Sequence, residues 1–174
     1  MIEMGFMLAI ELSLEETERF ILAVEQGLPF DCANDGATMR VKDGVMFCER
    51  VVSNPDMSLQ TTAELAAELL LNAFKDAIEK QQPVETSFHF PTALTLGQGY
   101  KAMRALDEDD GTLSIVHKAG VFDIGEKTIR MTSNPQVSPT HKISGMLSMG
   151  AGPVERAYIR TMLEKAIEHE RSLS

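Results

Sequence analysis

The chain has 174 residues and 19.2 kDa, 44% of it hydrophobic and 24% charged, which is enough for one proper core and too little for two large domains. Its apolar fraction excludes a disordered chain, and no apolar run approaches the ~20 residues that a spanning helix needs. Sixteen Lys and Arg against 26 Asp and Glu give a formal charge of -10, which argues against direct nucleic-acid or membrane contact and suits a protein partner with a basic surface.

That charge is uneven along the chain. Residues 1–80 hold 15 acids and 6 bases, net -9, whereas residues 81–174 hold 11 acids and 10 bases, net -1, so steering of a partner centres on the first half. Cys32 and Cys48 are too few for a disulfide framework, and Glu3 stands where a secretory signal would carry positive charge. The expectation is a cytoplasmic protein with reduced thiols, Cys48 acting as a small buried hydrophobe.

Taken in chain order, Phe6 to Leu12 reads as a strand, and Ser13 with Glu16 three residues later forms a capping-box signal for a helix that ends near Gly27. Thr38 to Lys42 and Val45 to Val52 flank Asp43-Gly44, a hairpin signal because a two-residue primed turn needs positive φ at both central residues. Ser53-Asn54-Pro55 stops the second strand. From Thr61 to about Gln82 the four-residue recurrence of apolar pairs predicts a long helix, with Thr61 and Glu64 as its cap and Pro83 as its stop. Val84 to Phe90 is a strand, and Thr95 to Leu106 a helix that tolerates Gly97 and Gly99 in its first turns. Strands follow at Thr112 to His117, Gly120 to Ile124 and Lys127 to Thr132, and a last helix opens at Pro153.

Two segments match at a spacing of 80. Arg50-Val51-Val52-Ser53-Asn54-Pro55-Asp56-Met57-Ser58 and Arg130-Met131-Thr132-Ser133-Asn134-Pro135-Gln136-Val137-Ser138 share five of nine residues. The predicted order of strand, helix, hairpin, turn and helix also recurs. This gives an α+β fold, a mainly antiparallel sheet with helices on one face, in one compact domain 1–174 whose halves 1–82 and 83–174 read as two βαββα, ferredoxin-like units. The helices after the two turns align at a spacing of 89, which places about nine extra residues in the Gly- and Met-rich segment 143–152 and suggests a loop or lid there.

Few residues suggest chemistry. Arg50 and Arg130, at matching strand ends, would suit a carboxylate or phosphate across a groove, and His141, Met146 and Met149 lie in or beside the extra segment. His89, His117, His141 and His169 share no ligand spacing, so neither a metal nor a cofactor is expected. Gly97-Gln98-Gly99 and Gly150-Ala151-Gly152 lack the third glycine of a dinucleotide fingerprint, and Asp107-Glu108-Asp109-Asp110 lacks the ligand alternation of a calcium loop. Ser144 and Ser148, near His141 in sequence, complete no nucleophile elbow. Without a catalytic constellation the expectation leans away from an enzyme. The leading function is a non-enzymatic acidic protein that binds a basic partner surface, of adaptor, chaperone-like or immunity-inhibitor type. A small-ligand protein or enzyme with its site between the halves under 143–152 comes second, and a self-assembling homo-oligomeric subunit third.

Overall fold

A computed structural model describes residues 1–34, 37–54, 57–108, 111–118, 120–133, 136–138, 141–142 and 145–173, with backbone alone at 34, 51–54, 57–58, 86–87, 89, 133, 136–138 and 141–142. The first half runs β1 (Ile2–Leu12), α1 (Leu14–Gln26), β2 (Phe30–Asn34), β3 (Ala37–Lys42), β4 (Val45–Asn54), β5 (Met57–Ala66) and α2 (Ala67–Glu79). The second runs β6 (Val84–Leu94), α3 (Leu96–Asp107), β7 (Leu113–His117), β8 (Gly120–Ile124), β9 (Thr128–Ser133), β10 (Gln136–Ser138), β11 (His141–Lys142), β12 (Gly145–Gly150) and α4 (Pro153–Ser172). No helix is long and apolar enough to cross a membrane among the described residues.

Local chemistry sets several boundaries. Ser13 and Thr95 each accept the amide of the residue three further on, and Glu16 and Gln98 reach back to the cap amide, so α1 and α3 begin with complete capping boxes. Gly27 closes α1 in the left-handed conformation at φ 69°. Asp43 and Gly44, at φ 53° and 79°, make the primed turn between β3 and β4.

Eight strands form an antiparallel sheet in the order β2-β3-β4-β5-β12-β9-β8-β7, so the four strands of one half meet the four of the other at the β5–β12 seam. β1 and β6 leave their own halves and pair with each other over eleven residues, from Ile2 opposite Leu94 to Leu12 opposite Val84. β10 and β11 form a separate pair. The α+β class and the antiparallel pairing are as expected, but ferredoxin-like units are not what the halves build, because β1 and β6 lie outside the main sheet.

The helix predicted from Thr61 begins at Ala67. Leu59, Thr61, Ala63 and Leu65 are buried while Gln60, Thr62, Glu64 and Ala66 are not, a period of two that places this stretch in a strand with β4 and β12 on either side. Thr61 therefore caps nothing, and its hydroxyl instead donates to the Arg50 carbonyl. The segment expected to form a loop or lid is corrected in the same way. Residues 145–150 are β12, a central strand with Gly145, Leu147 and Met149 buried. A Cβ on Gly145 would sit 2.7 Å from Leu65 Cδ2 and 3.2 Å from the Phe90 ring, so this glycine permits close packing.

One face of the sheet carries Met39, Met46, Cys48, Leu65, Phe122, Met131 and Leu147 into a single core with the β1–β6 ribbon and all four helices. Phe20 of α1 is its aromatic hub in the first half, edge-on to Phe30 and 4.8 Å from Phe74. The other face, with Thr38, Arg40, Thr62, Ser148, Arg130 and Asp123, is exposed or half-buried.

Candidate functional site

Register separates the two arginines. Arg50 stands opposite Ala37 and Thr61, both buried, and so lies on the helix side of the sheet, where its Nη1 donates to the Ala9 carbonyl of β1 at 3.3 Å. Arg130 stands opposite Asp123 and Ser148 on the open face, at the rim of a cleft of about 470 Å³ shared with Ser114, Asp123 and Thr128. The two do not face one groove. Met146 is half-buried on the open face between Glu64 and Thr132, whereas Met149 is buried against Thr61 and Ile129. His141 lies in β11, and its side chain is outside the described residues, as are the whole of Asp35-Gly36, Pro55, Asp109-Asp110, Asn134-Pro135 and Ile143-Ser144.

Arg50 thus ties one side of the ribbon to the sheet, and His117 ties the other. The Ala93 amide donates to His117 Nδ1 at 3.4 Å, and burial pulls the imidazole below its usual pKa, so the neutral form that can accept this bond is the native one. Both thiols are pushed up to about 11, chiefly by burial, which keeps them protonated and poorly nucleophilic at neutral pH.

Of the two glycine pairs at helix starts, Gly99, Gly150 and Gly152 have close packing partners and Gly97 has none within 4 Å. Cβ atoms on Gly150 and Gly152 would lie 3.1 and 3.0 Å from the Glu155 carboxylate, which packs beside both glycines in the first turn of α4, where an acid suits the helix dipole. Gly99 packs against Ile2 and Ile167. Among the described residues no group of three His, Cys, Asp or Glu side chains could hold a metal ion.

Charge supplies the sharper feature. Helices α1 and α2 carry four acids with one arginine and three acids with one lysine, and Glu15, Glu18, Glu25, Glu68, Asp76 and Glu79 are exposed. Their two cations are occupied. Arg19 donates to the Asp31 carbonyl and lies over the Phe30 ring, and Lys75 pairs with Glu25 at 2.5 Å. Helices α3 and α4 hold five acids against six Lys and Arg, of which Arg160 bridges Asp107 and Glu164. The two helix layers of one molecule therefore differ in sign, a placement that counting acids along the chain could only suggest.

Sequence reasoning missed Arg156, which is buried at 6% exposure. Its Nε donates to the Ala151 carbonyl, Nη1 to those of Ala105 and Glu108, and Nη2 to those of Gly111 and Gly125, at 2.8–3.1 Å. Its spacing from Ile159, Leu163 and Ile167 on the buried stripe of α4 was the available signal. With every contact a backbone carbonyl, this guanidinium holds the fold together.

These features define an α+β protein with a four-helix cover over an open antiparallel sheet. Comparisons with protein-family models, with curated proteins and with solved structures found no match.

Proposed function

We propose that the chain is a non-enzymatic acidic protein that docks a basic protein surface on its α1–α2 layer, in the manner of an adaptor, chaperone-like or inhibitor module. The observation that carries this reading is the difference between the helix layers, seven acids against two occupied cations in α1 and α2 and near balance in α3 and α4. Exposed acids on adjoining helices raise the encounter rate with a basic surface and leave the register to contacts formed afterwards. The test is capture of partners by the full chain at low and high salt, with cross-linking mass spectrometry to locate the contact. Neutralising Glu15, Glu18, Glu68 and Glu79 to Gln together should lower capture at least tenfold and flatten its salt dependence. The paired change Glu164→Gln with Glu168→Gln on α4 should leave it intact. Cross-links that fall outside α1 and α2, or capture indifferent to the fourfold change, would overturn the reading.

A further inference from the structure

We infer that a cleft between the β1–β6 ribbon and the end of β7 is a binding site for a small zwitterion with an apolar body, the chemistry shared by free apolar amino acids and short apolar peptides. The cleft holds about 640 Å³, within the range of small-molecule sites, and shares no residue with the α1–α2 layer, so the inference is independent of the partner reading above. It opens where the ribbon thins, since Gly5 has no side chain and stands opposite Pro91. Its other side is tied in place by His117, whose Nδ1 accepts the Ala93 amide at 3.4 Å and so holds the next residue, Lys118, beside the ribbon.

Burial grades the lining from floor to rim. Thr92 is 1% exposed, Met4, Pro91 and Ala93 are half-buried, and Glu3 and Lys118 are exposed. Thr92 supplies the observation that carries the inference: its Oγ1 is buried and makes no hydrogen bond among the described residues. Buried hydroxyls nearly always find a partner, because an unpaired one forfeits the bonds it made to water. In β6, opposite Met4, a valine would fill this position as well without that loss. A hydroxyl placed here at that cost points to a partner that enters the cleft, reached by a turn about the Thr92 Cα–Cβ bond that breaks no bond within the fold.

The rim defines the rest of the ligand. Glu3 and Lys118 have opposite charges, line the same cleft and form no ion pair with any described residue. An ammonium at Glu3 and a carboxylate at Lys118 satisfy both at once, while Met4, Pro91 and Ala93 give the apolar body a wall to pack on. Thr92 then donates to the carboxylate or accepts from an N–H of the ligand. A dileucine peptide, with about 17 heavy atoms, should bind with a Kd on the order of 100 μM.

Isothermal titration calorimetry of the full chain with leucyl-leucine should show one site, and acetylating the amine or amidating the carboxylate of the peptide should each weaken binding about tenfold. Glu3→Gln should weaken leucyl-leucine as much as acetylation does and leave the acetylated peptide unaffected, and Lys118→Gln should stand in the same relation to amidation. Both side chains are exposed, so these variants keep the fold. Thr92→Val should weaken binding about threefold or more and yet raise the urea midpoint, because it removes an unpaired buried hydroxyl. Free leucine that binds as tightly as the peptide would support the site as one for amino acids, and tighter peptide binding would support it as one for peptides. No binding of either at millimolar concentration, binding indifferent to both rim changes, or a Thr92→Val chain that binds leucyl-leucine as the native chain does would overturn the inference.

Discussion

Arg156 gives the residue scale its clearest case, because its five bonds join places that are distant in sequence. The carbonyls come from the end of α3 and its cap residue Glu108, from Gly111 two residues ahead of β7, from the β8–β9 turn and from Ala151 between β12 and the α4 cap. Replacing the side chain with Met keeps much of the volume but strands buried carbonyls, a loss of about 3 kcal/mol in the urea-unfolding free energy. Arg156→Lys restores the charge with three donors and no planar fork, and should recover less than half of that loss. Equal stability of Arg156→Met and the native chain would show that water satisfies those carbonyls. Gly111 belongs to the same knot, since a Cβ there would overlap the Ala105 carbonyl oxygen. Only the burial of Arg156 is legible in the sequence, from helical phase; its acceptors are backbone groups brought together by the folded chain.

At the scale of elements, what sequence reading recovered were structures specified within a few residues. The Ser13–Glu16 and Thr95–Gln98 capping boxes, the Asp43-Gly44 turn and Pro153 at the start of α4 are all self-contained signals. Thr61 and Glu64 carry the same capping pattern, yet β12 supplies β5 with a neighbour 84 residues away and the strand prevails. The Ser-Asn-Pro match is likewise unequal in place. β4 reaches Asn54 and pairs it directly with Met57, whereas the chain after Ser133 goes on to β10 and β11 before β12 returns. Helix α3 offers a test of local against tertiary preference. A Cβ on Gly97 meets nothing within 4 Å, whereas one on Gly99 would come within 2.5 Å of Ile2 Cδ1. Gly97→Ala should therefore stabilise by roughly 0.5–1 kcal/mol through helix propensity. Gly99→Ala should destabilise, because Ile2 is 1% exposed and has little room to yield. Urea midpoints that shift in the same direction for both would show that the Ile2 contact relaxes freely.

The whole molecule depends on seams that no local signal announces. β1 and β6 bury Ile2, Phe6, Leu8, Ile10 and Leu12 with Phe88, Phe90 and Leu94, and each strand belongs to a different half. β5 and β12 pair over five residues across the sheet centre. The chain ends are joined as well, with Phe6 stacked on Tyr158 at 6.0 Å and the Met1 amine 2.6 Å from Glu170. Cut at the exposed residues 81–83, the fragments 1–82 and 83–174 would each keep their hairpins and helices but lose the partner of a ribbon strand and of a central sheet strand. Neither should then show a cooperative urea transition alone, since the unpaired strands expose apolar side chains whose burial offsets the ordering entropy. Mixed in equal amounts, they should recover the far-ultraviolet spectrum and single transition of the intact chain. The joint is largely apolar and one fragment is near neutral, so this recovery should change little between low and high salt. A fragment that unfolds cooperatively by itself would instead mark its half as an independent folding unit and reduce the seams to a docking contact.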